Sequence, residues 1–270
     1  SISFNASKSK CLVILPANRR CLNDYVGKCR PTFYVGDNPI EYVDSFVHLG
    51  HVITNHLCDN DDILRRRNEF IGQVNNVICF FSKLKSCTVY KLFQSYCMSL
   101  YGCELWLLSN THIEELCVSW RKSLRRVWRL PYRTHCYLLP LLSRCLPLED
   151  EICRRSLNFI RECLCNSSRL VTAIAYYGIN YGRSNSVLGL NAMFCSSKLN
   201  VNISNICSSA ASVRRAVDQY AERKIQEQQS QAADFLRELL NVRDNHLVLS
   251  NNIELNREEL HALIDYICTN

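Results

Sequence analysis

At 270 residues and 31.2 kDa the chain can bury a sizeable core and suggests one or two domains. With 47% hydrophobic and 21% charged residues, 8 Gly and 6 Pro, it is neither collagen-like, low-complexity nor wholly disordered. Its formal charge of +7 is uneven: residues 1–135 hold 18 Lys+Arg against 11 Asp+Glu, residues 136–270 hold 14 against 14. A local positive field of this kind favours a polyanionic partner, most simply nucleic acid.

The 17 cysteines are odd in number and irregularly spaced, with no hydrophobic signal segment ahead of them. They therefore read as reduced, mostly buried small hydrophobes of an intracellular protein, nuclear or cytoplasmic, rather than as a disulfide framework. No two are spaced C-x-x-C, and Cys163 and Cys165 have only one residue between them, which speaks against structural zinc. Apolar stretches break within about 14 residues, short of the ~20 that a membrane span needs, so no membrane partner is expected. Residue 1 is Ser and the only methionines are Met98 and Met193, from which we expect a chain cut from something longer.

Short strands are predicted first: Lys10 to Leu15, ended by Pro16; Thr32 to Val35, then a Gly36-Asp37-Asn38-Pro39 turn; Ile40 to Tyr42; and Ser45 to Ile53. From Asp59 the period becomes helical, with Ile63, Phe70, Val74, Val77, Phe81 and Leu84 on one face and Asp59 or Asn60 as N-cap. Further helices are predicted from about Val89 to Leu107, Thr111 to Arg129, Leu138 to Cys145 and Glu149 to Leu164. Residues 178–207, rich in Asn, Ser and Gly, read as a loop or weak linker. A long polar helix, Ser208 to Val242, offers Phe235, Leu236, Leu239 and Leu240 to a partner, and Asn256 with Glu259 makes a capping box for a last short helix through Ile267.

Between Glu115 and Glu149 lie seven basic residues and no acidic one. At about 100° per residue, Arg121, Lys122, Arg125, Arg126 and Arg129 fall within an arc of roughly 140°. Ile113, Leu116, Cys117, Trp120, Leu124, Val127 and Trp128 take the other side. A face selected only for solubility usually mixes in Glu, and the planar fork of Arg suits phosphate. The spacing thus leaves two readings open, a solvated face and a phosphate-binding one, with Trp128 on the boundary as a sugar or base platform.

Several peptides resemble, in order, the part of a non-LTR retrotransposon (LINE-type) reverse transcriptase that follows its catalytic aspartates. Ser3-Phe4-Asn5-Ala6-Ser7-Lys8-Ser9-Lys10 followed by Cys11-Leu12-Val13-Ile14 is similar to the motif after the Y/F-A-D-D hairpin. Ser45-Phe46-Val47-His48-Leu49-Gly50-His51-Val52-Ile53 resembles the primer-grip hairpin. Tyr96 to Trp106 and Trp120 to Pro131 resemble thumb segments. The likeness is dense to about residue 165; beyond it only composition remains.

The resemblance implies that Lys8 lies near the nucleotide triphosphate as general acid to the departing pyrophosphate, the alternative being a surface strand Lys. It implies that His48, Leu49, Gly50 and His51 position the primer's 3′ end, Gly50 through close backbone approach, while His48 also reads as a hydrogen-bonded core side chain. Nucleotidyl transfer needs carboxylates on two metal ions, which the family carries on palm strands expected before Ser1. Magnesium is accordingly expected only in the complete polymerase, with no cofactor in this fragment. The one Asp-Asp, Asp61-Asp62, falls at a predicted helix start and reads as capping. Adjacent His135 and Cys136 read as core packing rather than a thiol dyad.

The expected fold is α+β and predominantly α-helical. A small antiparallel β remnant of a polymerase palm with the grip hairpin (1–57) precedes a helical thumb (58–165), a Ser/Asn-rich linker (166–207) and a C-terminal helical region (208–270). The expected function is that of a reverse transcriptase fragment, inactive alone. Its expected partners are an RNA/DNA template-primer duplex and the missing fingers and palm. The alternative is a domesticated protein or RNA interaction module.

Overall fold

A computed structural model describes residues 5, 8–14, 31–182, 185–199 and 215–230, the last without 225, 228 and 229. The chain is α+β and predominantly helical, and divides into two compact units, 1–66 and 67–270. The predicted features at Phe235 to Leu240 and Asn256 to Ile267 lie outside the described residues.

Among the described residues of the first unit the strands are β1 (Lys10–Leu12), β2 (Tyr34–Val35), β3 (Asn38–Pro39), β4 (Glu41–Val43), β5 (Ser45–His48) and β6 (His51–Thr54). They form three two-stranded sheets, β1–β4, β2–β3 and β5–β6. The expected purely antiparallel remnant is corrected, because β1 and β4 run parallel, Cys11 opposite Tyr42. Parallel neighbours need a long connection, and some thirty residues separate these two in sequence. Lys10 reaches Glu41 across the pair.

Helix α1 (Asn60–Phe81) begins with Asp61 and Asp62, whose charges suit its N-terminal dipole. In the second unit α2 (Ser86–Cys97), α3 (His112–Trp128), α4 (Leu138–Ser143), α5 (Leu148–Leu164), α6 (Arg169–Asn180) and α7 (Val187–Leu199) follow, and residues 215–224 form α8. The helix predicted to run to Leu107 stops at Cys97. Gly102, at φ 86°, leads into a short 3-10 turn (Cys103–Leu105), and the Arg155 guanidinium takes the carbonyls of Met98 (2.9 Å) and Ser99 (2.6 Å). A distant arginine thus satisfies acceptors that the helix end leaves open.

Tyr90 stacks on Phe93 (6.1 Å) and lies against Trp128 (5.0 Å), while Phe70 meets Phe93 edge-on. The whole predicted apolar side of α3 is buried. Trp128 is only 3% exposed and gives its indole N–H to Ser143, so it is a core residue and not a base platform.

Of the linker expected over 166–207, residues 169–180 and 187–199 are instead helices α6 and α7, which pack on α5 through Ile160, Ile179 and Ala192, while 200–207 lie outside the described residues. The small residues that suggested a loop allow close approach instead. A Cβ on Gly178 would come within 2.9 Å of Ser186 Oγ, and the Ser186 N–H binds the Gly182 carbonyl. Asn191 on α7 then reaches the buried loop before α3. It accepts from Leu108 N–H at 2.9 Å and donates to the Trp106 carbonyl at 2.8 Å.

Of the thirteen described cysteines, fewer than half are buried. Among those described, Cys97, Cys103, Cys117, Cys153 and Cys195 are buried, whereas Cys58, Cys79, Cys87, Cys136 and Cys165 are exposed. Burial pushes the Cys103 and Cys117 thiols up to about 12 and Cys97 to about 11. The thiolate is the nucleophile, so iodoacetamide at pH 8 is expected to alkylate the exposed five in native protein and the buried five only after denaturation. Peptide mapping checks this, and native labelling of Cys103 or Cys117 would contradict it.

Candidate nucleic-acid interface

In the first unit the grip-like sequence forms the β5–β6 hairpin, with Val47 opposite Val52 and His48 opposite His51. Its two-residue turn puts Leu49 at φ 48° and Gly50 at φ 80°, the left-handed pair that a tight hairpin requires. Glycine takes this conformation readily; leucine does not, at about 1 kcal/mol. Leu49 is 77% exposed, so burial does not repay the strain. Leu49→Asn is expected to stabilise the hairpin by about 0.5–1 kcal/mol in a denaturant titration, since Asn tolerates that backbone. An unchanged or lower midpoint would count against strain at the turn.

Both Arg65 and Arg66 donate to the Gly50 carbonyl, and buried Asp62 accepts the Val52 N–H at 2.9 Å while lying 3.1 Å from His51 Nδ1. His48 and Leu49 are exposed, which corrects the core alternative for His48. Two guanidinium groups stand behind the turn, with the Asp59 and Asp62 carboxylates beside His51, so the charges there are mixed. Sequence reasoning missed Arg65 and Arg66, although the Arg65-Arg66-Arg67 run was visible.

Asp62 is no cap. Its carboxylate ties β6 to α1, with Arg65 at 3.3 Å. Nor does Asp61-Asp62 fit a magnesium centre: Asp61 faces solvent, and Asp62 has its lone pairs aimed at hydrogen-bond donors and cations. These two carboxylates therefore carry no metal-dependent step. Among the described residues no three His, Cys, Asp or Glu side chains group as metal ligands would. Lys8 is exposed in a turn before β1, where Asn5 accepts the N–H groups of Lys8 and Ser9.

In the second unit α3 presents the predicted basic face, but four of its five residues are engaged within the fold. Arg121 pairs with Glu114; Arg125 makes a double contact with the Thr134 carbonyl (3.1 and 2.7 Å); Arg126 meets Asn75 Oδ1 (2.8 Å); Arg129 holds the Ser82 and Leu84 carbonyls. Lys122 is exposed. Only the Arg121 contact is with a carboxylate. A guanidinium bound to a neutral carbonyl or amide keeps its full charge and further N–H groups.

These contacts bring two segments together that the sequence keeps apart. Residues 70–103 hold Lys83, Lys85 and Lys91 and no acid; residues 116–148 hold seven basic residues and no acid. Arg126 and Arg129 join them, so that exposed Lys83, Lys85, Lys122, Arg126, Arg129 and Arg133 belong to one end of the unit. Among the described residues none of the six pairs with a carboxylate. Lys83 and Lys85 went unnoticed in sequence because only the fold sets them beside α3.

Arg129 occupies a strained place. It ends α3 at φ 56°, with its N–H on the Arg126 carbonyl and the Leu130 N–H on that of Arg125, a cap where glycine is usual. His135 and Cys136, read above as core packing, are exposed, and Cys136 Sγ lies 3.3 Å from Arg125. No helix among the described residues is long and apolar enough to cross a membrane. No family model matches the chain, and comparison with curated proteins and with solved structures gives no match.

Proposed function

We propose that the chain is the palm end, grip hairpin and thumb of a non-LTR-type RNA-directed DNA polymerase, binding template-primer nucleic acid. The observation that carries this reading is the carboxylate-free basic end of the second unit, where α3 and the turn after α1 meet. The hairpin turn, with exposed His48 and Leu49 and its Gly50 carbonyl held by Arg65 and Arg66, is the kind of rigid tip that holds a strand end. Phosphate contacts supply positioning and salt-dependent affinity without sequence information. Copying takes metal-binding acids, for which Asp61-Asp62 is unsuited, so this reading assigns binding and not catalysis to these residues.

The test uses exposed lysines, because Arg121, Arg125 and Arg129 hold the fold together. Lys83→Glu, Lys85→Glu and Lys122→Glu together are expected to weaken binding of an RNA–DNA hybrid at least tenfold. They should also reduce the log–log salt slope by about 2–3, as three lost phosphate contacts require. Fluorescence anisotropy between 50 and 200 mM salt reads both, and unchanged affinity would end the proposal.

The interaction-module reading has its own support. Leu170, Ile174, Tyr177 and Tyr181 form an exposed stripe down α6 at helical spacing. It predicts a protein ligand and no dependence on the three lysines.

A further inference from the structure

The basic end carries more than charge. Arg129 is flanked by two turns. In one, the Leu84 N–H binds the Phe81 carbonyl, putting Ser82 and Lys83 at the tip, and Arg129 grips the carbonyls of Ser82 and Leu84. In the other, Thr134 N–H and Oγ1 both bind the Pro131 carbonyl, putting Tyr132 and Arg133 at the tip. Arg125 clamps that second turn through the Thr134 carbonyl. Both tips are therefore fixed to the last turn of α3 by arginine hydrogen bonds.

Two aromatic rings near these turns are covered by solvent. Tyr132 is 77% exposed and Phe80, in the last turn of α1, is 78% exposed. A large ring left in water in the turn that Arg125 clamps, as Tyr132 is beside Arg133, is poorly explained by packing or by solubility. It is well suited to an unpaired base, whose face stacks on the ring while its phosphates meet Lys83, Lys85, Arg129 and Arg133. A protein partner with a matching apolar patch would have to be strongly acidic, and a fully paired duplex hides its base faces in its own stack.

We infer that the two turns flanking Arg129, with Tyr132 and Phe80 as stacking platforms, form a binding site for single-stranded nucleic acid. This rests on the nucleic-acid reading above and deepens it, by naming the unpaired part of the substrate as what this end of the unit takes. Stacking is tolerant of sequence and sugar, so RNA and DNA strands both enter.

The test is anisotropy of the full chain with fluorescein-labelled dT12, rU12 and a blunt 12-base-pair RNA–DNA hybrid. Tyr132→Ala with Phe80→Ala is expected to weaken dT12 and rU12 at least tenfold and the blunt hybrid less than threefold. Tyr132→Phe keeps the ring and should bind as wild type. Circular dichroism melting shows that each variant is folded, as two exposed positions permit. In a second readout, a bromouridine-substituted strand should photocrosslink to Tyr132 or Phe80 in the native chain.

If the alanine pair leaves strand binding intact while the triple lysine variant loses it, the stacking site is wrong and the broader proposal stands. If the lysine variant also binds every ligand as wild type does, the nucleic-acid reading itself fails. Equal losses on strand and blunt hybrid would overturn stacking in favour of a positional role for the rings. Self-association abolished by Tyr132→Ala, without strand binding, would overturn the site and identify the face as a contact between copies of this chain.

Discussion

Asn191→Leu is expected to destabilise the helical unit by about 3 kcal/mol, the combined cost of leaving two buried backbone groups without partners. Asn191 is 3% exposed and serves the Leu108 N–H and the Trp106 carbonyl at once, as a neighbouring strand would. Leucine fills the space that asparagine occupies, so the loss reports the missing hydrogen bonds rather than a cavity. For a unit of this size a thermal melt should fall by about 6–12 °C. A shift below about 2 °C, less than a single kcal/mol would produce, would mean that the loop finds other partners and that Asn191 does not pin it. The loop carries Trp106, which is fully buried, so its release would also open the packing between α5 and α7.

Asp62→Ala is the second large effect, expected at about 2–4 kcal/mol. The Asp62 side chain is fully buried, and its removal leaves the Val52 N–H unsatisfied and takes the counter-charge from Arg65. Breaking a buried pair costs about 3–5 kcal/mol, reduced here because Arg65 keeps part of its solvation. A two-stranded hairpin is marginal in water without support, so β5–β6 should loosen as a unit. Hydrogen exchange at Val52, whose N–H Asp62 holds, and at Phe46 and Ile53, a hydrogen-bonded pair of the ladder, reads this directly. Asp62→Asn keeps an acceptor for Val52 and should recover part of the protection. Protection equal to wild type in the alanine variant would show that the strands, and not Asp62, hold the turn.

The helices from Asn60 to Leu164 were legible because each carries an apolar stripe at helical spacing, whereas Ser45 to Ile53 read as one strand and only the family resemblance implied a hairpin there. The basic face of α3 was legible too, and so was its buried opposite side. What the spacing could not say is what the arginines touch. Arg125 and Arg129 point at backbone carbonyls of segments nine and forty-odd residues away, and such acceptors have no sequence signature. The same holds for Trp128, which a helical wheel puts at a boundary and Tyr90 and Ser143 bury.

Glycine and serine misled for a related reason. In Gly178, Gly182 and Ser186 the small side chain is what lets α6 and α7 approach, and composition alone cannot separate close packing from a loop. Asp61-Asp62 likewise looked local, whereas Asp62 is bound across the turn to β6.

Taken alone, the order of residues determined the helical class of the chain and the acid-free run of basic residues after Glu115, because periodicity and charge are properties of neighbours in sequence. Tertiary structure decided which cations remain uncompensated, which aromatic rings stay in water and which carboxylate is buried, because each depends on partners that only folding brings within hydrogen-bonding distance.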